Sequence, residues 1–104
     1  MSLSLAVSAN QIMVEDKLIA STPELMEWIK KNPTNYLISN LYNDLYERAE
    51  KAKQIEIDYG DPFDAEVTVQ IDENIPFELL TRILYTCGQA GWSNMKLAVY
   101  QPGE

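Results

Sequence analysis

The chain has 104 residues, of which 46% are apolar, and its formal net charge is −8. This length suits one domain, predicted over residues 1–104, and the apolar share is sufficient for a core. The negative charge disfavours nucleic acid and anionic lipid as partners, since both are bound through clustered Lys and Arg. The single cysteine excludes an internal disulfide, and no apolar run approaches the roughly 20 residues that cross a bilayer.

The N-terminal segment alternates apolar with small polar residues. Leu and Val recur at every second position of residues 2–9, which predicts a half-buried strand. Asn10 interrupts this pattern before the apolar residues Ile12, Met13 and Val14. Because Asn tolerates turn geometry, we predict a hairpin with a tight turn near Asn10.

Two helices are predicted in the next forty residues or so. Thr22 and Pro23 mark the start of a short helix that ends near Asn32, with Thr22 as the cap. A longer helix is predicted over residues 35–54, because apolar residues recur there at spacings of three and four. Its buried stripe consists of Ile38, Leu41, Leu45, Ala49 and Ala52.

Residues 65–100 show the order strand, helix, strand. An alternating apolar strand contains Val67, Val69 and Ile71, and Pro76 then opens a helix that ends at Gly91. The helical stripe comprises Phe77, Leu80, Leu84, Cys87 and Ala90, and the inner face of the last strand comprises Met95, Leu97 and Val99. Two strands joined by one crossover helix normally lie parallel in one sheet.

These elements predict an α+β fold. The order is β-β-(short α)-α-β-α-β, with a mixed sheet of about four strands and the two long helices packed on one face. The last two strands should be parallel and adjacent or separated by one strand. The opening hairpin should supply an antiparallel part.

The sequence offers little for catalysis. It has no histidine, which removes the commonest general base and metal ligand, and Cys87 lies on the inner stripe of a helix. Asp58, Asp61 and Asp64 lack the spacing and the central glycine of a calcium loop. We therefore expect no enzymatic activity, no metal and no cofactor.

Short motifs in the C-terminal half resemble the periplasmic domain of the ExbD/TolR biopolymer transport family. That family typically has a strand ending in Asp, a helix start with Pro, a helix ending in Ala-Gly and a final apolar strand. The matching positions here are Asp72, Pro76, Phe77 and Gly91, with the last strand around Met95–Val99. The opening hairpin is similar to the first hairpin of that family.

The resemblance implies a non-catalytic periplasmic interaction domain in a transport motor driven by the proton motive force. Such a chain would belong to an inner-membrane protein, form a homodimer, and act with an ExbB/TolQ-like membrane subunit. It would couple the motor to a TonB- or TolA-like partner. The family's proton-carrying aspartate lies in a transmembrane helix that this sequence does not contain.

An exposed sheet edge suits an interaction domain, because it can accept another strand through main-chain hydrogen bonds. We expect the last strand, or else the first, to be that edge, with Met95, Lys96, Ala98 and Tyr100 binding the partner. Replacing Ala98 with Pro should then remove a ladder donor and weaken association. The alternative function is a soluble cytoplasmic adaptor whose acidic face, formed by carboxylates between Glu56 and Glu78, binds a basic partner.

Overall fold

The computed structural model of the protein describes residues 2–103. Its elements in chain order are β1 (Leu3–Val7), β2 (Gln11–Val14), β3 (Lys17–Ser21), α1 (Thr22–Lys31), α2 (Ser39–Tyr59), β4 (Glu66–Asp72), α3 (Phe77–Gln89) and β5 (Asn94–Tyr100). The predicted α+β class, with a mixed sheet and helices, is confirmed. The sheet has five strands rather than about four.

The strand order across the sheet is β3-β2-β1-β4-β5. β1, β2 and β3 pair antiparallel, whereas β1–β4 and β4–β5 pair parallel. The prediction that the last two strands are parallel neighbours is therefore confirmed. The prediction that β1 might be a sheet edge is wrong, because β1 lies between β2 and β4.

The additional strand, β3, follows a tight turn in which Glu15 has a positive φ of 54°. None of its residues is fully buried, so the strand lacks the alternation that identified its neighbours. A bulge also shifts its register against β2 between Ile12 and Met13. Both features explain why the periodicity of the sequence did not indicate a strand here.

One apolar core lies between the sheet and the helices. The inner residues of β1, β2 and β4 align across the sheet, so that Leu5 stands beside Val14 on one side and Val69 on the other. The helices close this row with Leu41, Leu45, Leu79, Ile83 and Cys87, all at 0% exposure. Each large aliphatic side chain buried in this way contributes about 1.5–3 kcal/mol.

The start of α1 differs from the prediction by one residue. Ser21 is the cap, and its hydroxyl accepts a hydrogen bond from the Glu24 N–H. Thr22 is instead buried, and its hydroxyl donates to the Ser8 carbonyl at 2.8 Å. Thr22 therefore ties α1 to the β1–β2 turn rather than capping the helix.

The long helix α2 covers residues 39–59 rather than 35–54. Its start is delayed because α3 holds the preceding segment in an irregular conformation. The Arg82 guanidinium is buried and donates to the carbonyls of Pro33, Asn35 and Glu78, while it lies 4.4 Å from the centre of the Tyr36 ring. At the other end, Gly60 has a φ of 79° and terminates the helix.

Candidate functional site: the β5 edge

β5 forms one edge of the sheet, and all seven of its residues are exposed. Its register against β4 is regular over the whole length, from the pair Glu66–Asn94 to the pair Asp72–Tyr100. An edge strand of this kind presents unpaired backbone N–H and C=O groups to one side. The candidate site is therefore a straight ladder of backbone donors and acceptors.

Two hydrogen bonds at its ends fix which backbone groups of β5 are free. The Asn94 N–H donates to the Ala65 carbonyl, and the Tyr100 carbonyl accepts from the Glu73 N–H. In a parallel ladder, each residue directs both its N–H and its C=O to the same side, and successive residues alternate between the two sides of the strand. The even-numbered residues 94–100 thus face β4, and the outward groups belong to Met95, Leu97 and Val99.

This alternation corrects the expectation for Ala98. Its N–H belongs to the existing ladder with β4, so proline at this position would damage the sheet itself. The residues whose N–H groups point away from the sheet are Met95, Leu97 and Val99. A proline that tests the free edge must replace one of these three.

The same three side chains form an apolar row on the helix-covered face of the sheet. They continue the buried row of β4, since Leu97 stands beside Val69 and Val99 beside Ile71. Their orientation agrees with the prediction, but they are not covered: Met95 is 36% exposed, Leu97 49% and Val99 59%. The core row therefore continues to the edge of the molecule and ends in solvent.

The helix α3 lies beside this row without covering it. A Cβ placed on Gly88 would lie 3.4 Å from the Met95 Cε, so α3 approaches β5 at its C-terminal end. Leu80 and Leu84 lie at helical spacings from Gly88, on the same side of α3, and both are partly buried. We call the surface formed by Leu80, Leu84, Met95, Leu97 and Val99 the apolar shelf.

The opposite face of β5 is polar and locally paired. The Lys96 ammonium lies 3.1 Å from the Glu66 carboxylate on β4. Hydrogen bonds from Lys96 and Ser2 lower the pKa of Glu66 below its ordinary value. The Tyr100 hydroxyl donates to the Val7 carbonyl at 3.4 Å, so Ala98 lies between two anchored side chains.

The four family-motif positions all lie around the β4–α3–β5 unit. Asp72 ends β4, is buried, and accepts a hydrogen bond from the Asn74 N–H, while Pro76 is the residue that precedes α3. Gly91 has a φ of 100° and follows α3 in a Schellman motif, closed by bonds from Gly91 to Gly88 and from Trp92 to Cys87. Phe77, assigned to the buried stripe, is instead 78% exposed because it faces outward in the first turn.

Several carboxylates of the acidic segment have partners within the chain. Glu66 pairs with Lys96, the Glu56 carboxylate accepts from the Phe63 N–H, and the Asp58 carboxylate accepts from the Gln54 amide. The Asp64 carboxylate accepts from the Glu66 N–H. These four carboxylates therefore stabilise the last turn of α2, the segment that follows it and the start of β4.

The described part of the chain, residues 2–103, brings no three His, Cys, Asp or Glu side chains close enough to hold a metal ion. Cys87 has no exposed surface, and burial raises the pKa of its thiol to about 12. A thiol in this state is a core side chain and a poor nucleophile. Cavities of about 370 and 260 Å³ lie beside β3, and their lining contains no histidine or cysteine.

The sequence predicts β5 and, with Met95, one of its three outward residues, whereas the backbone groups of the predicted binding residues Lys96, Ala98 and Tyr100 face β4. It does not indicate Leu97 and Val99 as binding residues, since alternation specifies which face a side chain occupies and not whether a helix covers that face. The exposed edge could have been inferred from the order of the elements along the chain. A strand that follows a single crossover helix at the end of a sheet has a neighbour on one side only.

No family model matches this chain, and no curated protein or solved structure matches it. Among the helices of residues 2–103, none combines the length and the apolarity needed to cross a membrane.

Proposed function

We propose that this chain is a non-catalytic interaction domain that binds its partner by accepting a strand at the β5 edge. One observation carries this proposal: Met95, Leu97 and Val99 combine outward backbone groups with exposed apolar side chains. Added strands gain affinity from main-chain hydrogen bonds and specificity from alternate side chains. Both requirements coincide on these three residues.

We further propose that the domain works in the periplasm as part of a transport motor driven by the proton motive force. Support comes from the resemblance to the ExbD/TolR family. Asp72, Pro76 and Gly91 stand where that family has its strand end, helix start and helix end. The partner would then be a TonB- or TolA-like protein, and an ExbB/TolQ-like subunit would supply the membrane part of the motor.

A pair of substitutions on the two sheet edges tests this function in the cell. Leu97→Lys places a charge in the apolar row, which an added strand would have to bury, whereas Leu18→Lys changes a 60% exposed residue on β3. We expect Leu97→Lys to abolish growth or envelope integrity that depends on the proton gradient. Leu18→Lys should leave both unchanged.

Two results would contradict the proposal, and they contradict different parts of it. Full activity of a folded Leu97→Lys protein would exclude the β5 edge as the binding surface. If a protonophore collapses the gradient and the native strain still performs better than the Leu97→Lys strain by the same margin, the motor would be excluded. The second result would leave a binding role of the edge intact.

A further inference from the structure

The apolar shelf extends above the sheet, where a strand added to β5 does not reach. Such a strand lies about 4.8 Å beyond β5 in the plane of the sheet, and it contacts Leu97 and Val99 from the side. Leu80 and Leu84 belong to the helical layer above, so their exposed parts stay in water after a strand has bound. We infer that the partner also supplies an amphipathic helix with a basic rim, which lies on the shelf beside α3. This inference rests on the proposed strand addition and names a second element of the partner.

The shelf is a trough with a strand as its floor and a helix as its wall. Because α3 connects the parallel strands β4 and β5, it runs back along the sheet, antiparallel to both. Gly88 of α3 lies against Met95 of β5. From there, helix residues four apart and strand residues two apart both advance by about 6–7 Å. The two leucines of α3 therefore stand level with Leu97 and Val99, and apolar groups line the trough over its length.

The width and the length of the trough fit one helix. β5 and an added strand together measure about 10 Å across, close to the diameter of about 10–12 Å of a helix with its side chains. Phe77, which is 78% exposed, lies three residues before Leu80 and continues the apolar row to the first turn of α3. The row from Phe77 to Gly88 is about 16 Å long, or about three helical turns. A helix beside α3, at the usual interaxial distance of about 8–10 Å, would reach Phe77, whereas a strand beyond β5 would not.

The charges around the trough favour a basic helix. Arg82 is the only basic residue between positions 54 and 95, and it is buried against the segment that precedes α2. Glu73 and Glu78 are exposed where β4 ends and α3 begins, at one end of the trough. Lys96 lies on the opposite face of the sheet and pairs with Glu66. Lys or Arg beside the apolar stripe of the partner helix would therefore be attracted, and carboxylates would be repelled.

Binding of labelled peptides tests this helix directly. The probe is a peptide of about 14 Leu and Lys residues, with Leu at the spacings of three and four that form one helical face. One control peptide carries Glu in place of Lys, and another has the same composition in a scrambled order. Only the patterned Leu–Lys peptide should bind tightly, and it should shift the amide NMR signals of Leu80, Leu84 and Leu97. Equal binding of the scrambled peptide would overturn the amphipathic helix as occupant, and equal binding of the Glu peptide would overturn its basic rim.

Two equally exposed aromatic residues provide matched variants. Phe77 lies at the end of the trough, whereas Tyr59, also 78% exposed, lies at the end of α2. Phe77→Lys should weaken peptide binding by about tenfold or more, since it replaces an apolar anchor with a charge that the basic rim repels. Phe77→Glu should weaken it less, and Tyr59→Lys should change it by less than about twofold. Equal losses in Phe77→Lys and Tyr59→Lys would show that net charge alone attracts the peptide, and they would overturn the shelf as its site.

The test in cells separates this inference from the proposed strand addition. A Phe77→Lys protein that is folded by urea unfolding should lose function as Leu97→Lys does, because an added strand alone would not contact Phe77. Full function of Phe77→Lys together with loss in Leu97→Lys would overturn the helix and leave strand addition standing. Full function of Leu97→Lys would instead overturn strand addition. Shifts of the shelf amides with rising protein concentration, in the absence of peptide, would identify a second copy as the occupant and overturn the inference.

Discussion

The two edges of the sheet, β3 and β5, differ in length and regularity. β3 has five residues and a bulge, and Lys17 at its start is held by the buried Asp44 carboxylate at 3.1 Å. β5 has seven residues in one unbroken register, and its one charged side chain, Lys96, pairs with Glu66 on the face opposite the apolar row. Each edge thus carries one lysine, but only β3 also has a bulge, which is a usual means of preventing edge pairing, so β3 is the better protected edge and β5 the more open one.

The difference extends to the layer above the sheet. β3 is followed directly by α1, and Asp44 of α2 reaches it from above, whereas α3 approaches β5 near Gly88 and leaves Leu97 and Val99 exposed. A single chain that protects one edge and leaves the other uncovered is expected to use the second for binding. Among the described residues, β5 is the edge that an added strand could follow in regular register along its whole length.

The largest predicted effect is a difference in stability between proline substitutions on the two sides of β5. Ala98→Pro removes an N–H that bonds to β4, and we expect it to lower the free energy of unfolding by about 3 kcal/mol. Leu97→Pro removes an outward N–H, a position that an edge strand tolerates, so we expect a cost below about 1 kcal/mol in stability together with the loss of function in cells. Urea unfolding of both variants measures the first quantity, and the comparison in cells described for Leu97→Lys measures the second.

An equal loss of stability in the two proline variants would show that Leu97 also bonds within the sheet. That result would contradict the assignment of odd-numbered residues to the free edge. Full function in cells of a folded Leu97→Pro protein would contradict strand addition at β5.

A smaller effect is expected at the protected edge. Burial opposes the ionisation of Asp44, but hydrogen bonds from Arg48 and Lys17 outweigh it and lower the pKa below its ordinary value of 3.8. Because the pKa is lowered in the folded state, the Asp44 carboxylate contributes stability at pH values above its ordinary pKa of 3.8. This contribution is lost as the pH falls through the lowered pKa of the folded state. Asp44→Asn should therefore cost about 1 kcal/mol near neutral pH and less in acid.

Urea unfolding of the native protein and of Asp44→Asn at about pH 7 and about pH 2.5 isolates this contribution from that of the other carboxylates. The gap between the two proteins should narrow at the lower pH. A gap that stays constant or widens in acid would show that the charge of Asp44 does not hold Lys17 and the β3 edge.

Periodicity and caps predicted most of the fold, and their failures have identifiable physical causes. The β4–α3–β5 unit was predicted because Val67, Val69 and Ile71 alternate cleanly and Pro76 and Gly91 bound the helix. β3 was missed because a bulge and partial exposure remove alternation from five residues. The start of α2 was misplaced because Arg82, distant in sequence, holds the preceding segment.

For the candidate site, the sequence indicated the strand β5. It did not indicate that the side chains of β5 are exposed, nor which of its backbone N–H groups point away from the sheet. Alternation placed Met95, Leu97 and Val99 on the helix-covered face. Whether α3 covers them depends on helix packing, and which N–H groups are free depends on the parity of the β4–β5 ladder. Neither property is encoded in a local pattern, so both required the three-dimensional arrangement.

Amide hydrogen exchange along β5 tests the central claim most directly. The N–H groups of Lys96, Ala98 and Tyr100 should be protected, because they bond to β4. Those of Met95, Leu97 and Val99 should exchange rapidly in dilute solution, because they point away from the sheet. Protection of these three amides in dilute solution would contradict an open β5 edge.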